Sequence, residues 1–423
     1  MTPVGQYSSL IKAAAFALLV ANVIAILMIF GKIGLPDFTW FQSAFSRLLA
    51  THVEVAFLVW LPLISLSVWA KRSGTSRKFN LVLAVIITML SIVLVISGLT
   101  ASEPGITADY FPIVPHPVFL SAMFMLCLLI TVAGVKPLYF SIQQKDLLLL
   151  LSVTTTILAL LLLQTGLVIW YFPVMGKFSE WFWIAGHIFQ LALVYTLCLF
   201  ILETNEKHNL SALQVSIIII PLVIHLIAIV YYLSGGHVVA GKDLFTIIME
   251  MLTWWPLVIM IKPALKQSPA TSKICLSLSL ALFGLAILFG LAIKPDTLLI
   301  PAHYHAILAA INVAAFYFLI NSGFNVSIKS TIIYAVSMAI LASGIGLAGL
   351  LGEPRKVAYL VEIDLLRTSA IWLASIGGFI AMLASFYISF SLLKRNLVFP
   401  ATELSGHLNK TDSDVRVKLV NNL

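Results

Sequence analysis

The feature that most constrains this chain is a run of about 20 apolar residues, repeated from one end of the sequence almost to the other. Such runs centre on residues 10–31, 48–70, 79–99, 117–135, 146–172, 181–202, 211–234, 244–262, 271–293, 298–321, 330–351 and 368–393. A helix needs roughly 20 apolar residues to cross the hydrocarbon of a bilayer. Inside that hydrocarbon every backbone polar group must find its partner within the protein, so only helices and closed barrels span it. A barrel would read as short segments of alternating polarity, and the chain has none. The sequence therefore predicts an all-α polytopic membrane protein of about twelve transmembrane helices. No linker divides it, which predicts one domain over residues 1–396 and a polar tail over 397–423.

Composition agrees. Of the 423 residues 61% are hydrophobic and 10% charged, against roughly 25% charged in a soluble domain. The formal charge of +8 points to topology rather than to a nucleic-acid partner, because the cations fall in alternate loops. Arg72, Lys78, Lys136, Lys145, Lys262, Lys266, Lys273, Lys329, Lys394 and Arg395 share one side. The positive-inside rule makes that side cytoplasmic, with both termini there and the chain in an inner membrane. The first apolar run reads as a membrane helix rather than a removed signal. One loop breaks the charge pattern: GEPRKVAYLVEIDLLRT places Arg355, Lys356 and Arg367 on the outer side. Either its three acids offset them, or these cations face a bound anion. Cys127, Cys198 and Cys275 lie in apolar runs as core thiols, and no CxxCH haem-attachment motif exists.

Nine histidines are present. His208 and His407 lie in polar segments and His116 in an outer loop. The other six fall in or at the ends of membrane helices, where polar groups are costly and mark function by default. His52, His187, His237, His303 and His305 are expected at one depth, in the outer half of the bilayer, with His225 deeper. In PAHYHAI, His303 and His305 are two residues apart, a rotation of roughly 200° on a helix. They point to opposite faces and suit two metals flanking one helix, whereas a single-zinc pair is spaced i, i+4. Axial imidazole ligation suits haem iron.

These residues resemble the catalytic subunit of the haem-copper oxidase superfamily, most closely its C-type (cbb) branch and the related nitric oxide reductases. FSRLLATHVEVAF resembles the segment in which an arginine precedes a low-spin haem ligand, which implies Arg47 and His52. FWIAGHIF resembles the segment that binds the non-haem metal through His187. AHYHAIL resembles the two-histidine motif, so His303 would hold a high-spin haem and His305 would join His52 on the low-spin haem. IVYYLSGGHVV implies His237 as a metal ligand and Tyr231 as the catalytic tyrosine, but Val238 stands where that segment has a second histidine. GEPRK implies that Arg355 and Lys356 meet haem propionates. Leu191 occupies the position of a tyrosine found in most oxygen reductases. Glu250, an intramembrane acid, is either a third metal ligand that favours iron or a buried hydrogen-bonded acid.

The resemblance implies a respiratory reductase subunit with two haems, low-spin and high-spin and of the b type, together with copper or non-haem iron. It would reduce O2 with electrons from a separate c-type cytochrome subunit or a quinol. The alternatives are nitric oxide reduction at non-haem iron, and a degenerate haem-b electron carrier or sensor.

Overall fold

The computed structural model describes residues 4–32, 39–106, 110–172, 178–202, 211–233, 251–266, 270–294, 296–355 and 364–394. Its regular elements are helices: α1 (Val4–Lys32), α2 (Thr39–Glu54), α3 (Leu61–Ser73), α4 (Arg77–Thr100), α5 (Pro117–Gln144), α6 (Leu147–Tyr171), α7 (Phe178–Leu202), α8 (Ala212–Leu233), α9 (Trp255–Lys266), α10 (Ala270–Leu291), α11 (Leu299–Asn321), α12 (Ile328–Leu350) and α13 (Leu365–Leu393). A six-residue π-helical stretch, Val55–Trp60, joins α2 to α3, so these form one span. Among the described residues eleven spans are long and apolar enough to cross a membrane, and Met251–Lys262 adds a shorter apolar helix. The chain is a multi-pass helical membrane protein. The eighth apolar run of the sequence is that shorter helix, and its residues 244–250 lie outside the described ones.

Local chemistry sets the helix ends. Ser76, Asp146, Ser327 and Asp364 each accept a hydrogen bond from the backbone N–H three residues on, which satisfies one of the donors a helix start leaves open. Between spans, small residues let backbones approach. A Cβ at Gly344 of α12 would lie 2.5 Å from the backbone nitrogen of Ala374 in α13, the close packing that replaces a hydrophobic drive inside lipid.

The spans divide by position. Over the most apolar window, α7 is 94% buried, the α2–α3 span 89% and α11 78%, against 33% for α4 and 28% for α8. The first three form the middle of the bundle, and lipid meets the others. Those three carry His52, His187, His303 and His305. A buried network ties two of them together: Trp60 Nε1 donates to Asn312 Oδ1 at 2.8 Å, and the Asn312 amide donates to the Tyr334 hydroxyl at 2.7 Å.

Candidate functional site

The four central histidines share one arrangement. Each presents Nδ1 to a backbone carbonyl: His52 to Ala21 of α1 at 3.0 Å, His187 to Trp183 at 2.8 Å, His303 to Ala286 of α10 at 2.8 Å, and His305 to Pro301 at 2.7 Å. A carbonyl oxygen can only accept, so Nδ1 carries the proton and a neutral ring keeps its lone pair on Nε2. That tautomer, fixed by an outer hydrogen bond, is the one in which histidine binds a metal through Nε2. His225 of α8 is held in the same way by Pro221 at 2.6 Å, but its Nε2 lies 3.5 Å from the Thr253 hydroxyl.

His52 of α2 and His305 of α11 come from different central spans and lie near one another. Arg47 stands five residues before His52 on α2, and its Nε is buried with no hydrogen-bond partner. Orphaned donors of this kind are rare in proteins, and each asks for an acceptor. Glu54, two residues past His52, is fully buried, and neither carboxylate oxygen has a hydrogen-bond partner. The π-helical stretch begins at the next residue, and such insertions recur at functional sites.

On the other face of α11, His303 lines a small cavity of about 20 Å³, room for about one water, together with Gln190, Thr253, Trp254, Phe283 and Gly290. His187 stands one turn before Gln190 on α7, its ring centroid 4.3 Å from Trp183 and 4.8 Å from Tyr110. Tyr110 belongs to the segment between α4 and α5, with φ at +67°, a region bulky residues seldom enter. It reaches into the bundle against Gly186, where any Cβ would overlap its ring. Its ring is also 5.1 Å from Tyr304, which is 5.5 Å from His303.

The remaining expected residues are placed as follows. Tyr231 lies on the outward face of α8 and is 57% exposed. Its neighbour Tyr232 is buried and packs 5.5 Å from Trp183, so Tyr232 is the residue of the pair on the His187 side. One step along a helix turns a side chain by about 100°, and spacing to His237 alone does not decide between them. Arg355 pairs with Asp296 at 3.4 Å, and its backbone N–H donates to the Asp296 carbonyl. His237, Glu250 and Lys356 lie outside the described residues. Tyr110, Gln190 and Glu54 were not singled out in the sequence. Glu54 alone carried a signal, as an acid inside the apolar run LLATHVEVAFLVW.

His303 and His305 lead to opposite sides of α11, as the spacing predicts. Two imidazoles near one another, with Nε2 available and an unsatisfied arginine nearby, suit a haem with an anionic edge. For a third metal the described residues supply His187, and among them no three His, Cys, Asp or Glu side chains gather as a metal-binding group. No protein-family model matches the chain, and no curated protein matches it.

Proposed function

We propose that the chain is a haem-containing respiratory reductase subunit of the haem-copper oxidase type, acting on a small gaseous oxidant, O2 in the first instance. The observation that carries the reading is the set of four histidines on the three most buried spans, all in the Nε2-available tautomer and two of them back to back on α11. His52 and His305 would hold one b-type haem, with Arg47 beside its anionic edge. His303 would hold the second. Bound haem supplies one-electron chemistry and an iron that takes a diatomic ligand. The protein's part is to fix the imidazoles through Ala21, Ala286 and Pro301, to keep bulk water out with a wall of apolar side chains, and to present the oxidant to the His303 side. His187, with copper or non-haem iron, would form the second half of the reaction centre. Electrons would come from a c-type cytochrome subunit or a quinol, with both termini on the cytoplasmic face of an inner membrane.

A second reading, a haem-b electron carrier or sensor without reductase activity, is favoured by Val238 and by the absence of a gathered third ligand set among the described residues. Metal and haem analysis of the protein purified from membranes separates the cases. Two haems with stoichiometric copper support oxygen reduction, and non-haem iron in place of copper supports nitric oxide reduction. Two haems without a third metal leave the electron carrier. A preparation free of haem overturns the proposal.

A further inference from the structure

We propose that Trp60 and Asn312 are positioning residues for the low-spin haem: their hydrogen bond sets the spacing of the two spans that carry His52 and His305. The inference rests on the haem reading above and adds to it what holds the ligand pair in register.

Both imidazoles are tied to backbone, His52 to Ala21 of α1 and His305 to Pro301 of its own helix. The rings therefore cannot seek an iron independently. The gap between their Nε2 atoms follows the gap between the α2–α3 span and α11. Two axial imidazoles share one iron only from opposite sides of it, so that gap needs a fixed width.

Helical phase places one polar group in line with each ligand. His305 and Asn312 are seven residues apart on α11, a rotation of about 700°, which leaves them within about 20° of one line. His52 and Trp60 are eight residues apart. A regular helix would leave Trp60 about 80° round from the His52 face. The π-helical stretch Val55–Trp60 lies between them. A π-turn bonds i to i+5 and takes up one residue more than an α-turn, which returns Trp60 to the His52 line. Two turns along each helix, about 10 Å from the histidines, the two lines meet again: Trp60 Nε1 donates to Asn312 Oδ1 at 2.8 Å.

The direction of this bond is fixed. An indole N–H only donates, so the carboxamide must turn its oxygen to Trp60, and its NH2 meets the Tyr334 hydroxyl at 2.7 Å. Trp60 and Asn312 are both buried. Inside a membrane a polar group that leaves its partner finds no water to replace it, and hydrogen bonds between helices hold them together. Phe316, one turn beyond Asn312, packs on the indole with ring centroids 6.2 Å apart. The Trp60 side chain thus bridges the two spans in the same direction as the histidine pair.

The test is carbon monoxide uptake by the reduced, haem-loaded protein as purified, read beside the low-spin optical band. An iron held by two imidazoles has no open position, so the wild type should bind carbon monoxide at one of its two haems. Trp60→Phe deletes the donor. The spans should then relax, one imidazole should leave the iron, and uptake should rise by up to about twofold as the low-spin band falls. A bond that served stability alone would lower the melting temperature without opening an iron. Combining Trp60→Phe with Asn312→Leu separates the two effects, because it removes both partners and strands neither. Thermal unfolding in detergent should recover towards the wild type while uptake stays raised. Tyr334→Phe leaves the Trp60–Asn312 bond in place and should keep wild-type uptake. A double variant with wild-type uptake and an intact low-spin band overturns the assignment, as does a Tyr334→Phe protein that takes up as much as Trp60→Phe. A Trp60 variant that loses the low-spin haem and keeps the second supports the clamp; one that loses both refutes it. Wild-type protein without haem overturns the functional reading and this inference with it, an outcome distinct from haem-loaded variants that match the wild type.

Discussion

The two ends of the bundle differ in which buried polar groups they leave open. At the lysine end several charged and amide groups meet partners from the chain, and the atoms left open include the hydroxyls of Ser9 and Ser389. Arg72 meets Asp146 at 2.7 Å, Lys136 donates to the Gly74 carbonyl at 2.9 Å, Asn80 donates to the Gln6 carbonyl at 2.9 Å, and Lys71 sits 5.3 Å above the Phe318 ring. At the histidine end Arg47, Glu54, His116 and Glu353 keep buried polar atoms with no hydrogen-bond partner. A buried unsatisfied polar group costs about 1–3 kcal/mol, more if charged. The difference lies in the charged groups and teaches where binding is expected. Those at the lysine end are finished by the chain, whereas on the proposed reading Arg47, Glu54 and Glu353 lie at the end that a bound group would complete.

The largest expected effect falls on the histidines. On the proposed reading His305→Ala would remove one of the two imidazoles that hold the low-spin haem with His52, and the low-spin spectrum of the purified protein should disappear while the second haem remains. An unchanged low-spin band would break the assignment of that pair. Arg47→Met comes next and has two signs. With haem bound, losing a charge-assisted bond should weaken retention by about 1.5–3 kcal/mol, read as faster transfer of haem to an acceptor protein. In the haem-free protein the same change deletes an orphaned buried donor, so thermal stability in detergent should hold or rise. A loss of stability in both forms would mean that Arg47 serves the fold and not a ligand.

The spans and their histidines were legible in the sequence because both signals are local. Run length reports the bilayer, and the two-residue spacing of His303 and His305 fixes their opposed faces wherever α11 lies. What needed the structure depends on contacts between distant segments. Nothing in ITADYFP announces that Tyr110 crosses to Gly186, 76 positions further on, or that its hydroxyl meets Gln190. The tyrosine on α8 also needed the packing. The motif pointed to Tyr231, which is 57% exposed, while Tyr232 is the one that packs against Trp183. The π-helical stretch at Val55–Trp60 shifts the phase of its helix, which a fixed 3.6-residue period does not anticipate. The run positions of His52, His187, His303 and His305 gave no hint of the unsatisfied groups around them, because satisfaction is a property of the assembled neighbourhood.

The smallest expected effect lies at the finished end, and it is what makes the comparison quantitative. Arg72 and Asp146 join α3 to the start of α6, with side chains 20% and 23% exposed. A pair so placed is partly screened by water, and its coupling should be about 1 kcal/mol or less. Asp146 also caps α6 through Oδ1, so Asp146→Ala would mix two losses. Asp146→Asn retains a capping oxygen and removes only the charge. A double-mutant cycle of Arg72→Leu and Asp146→Asn, read by thermal unfolding in detergent, therefore isolates the ion pair. Both single variants should keep wild-type haem content, since their partner is inside the chain. A change in haem retention as large as that of Arg47→Met would show that the two ends are coupled, and that pairing at one of them is not independent of binding at the other.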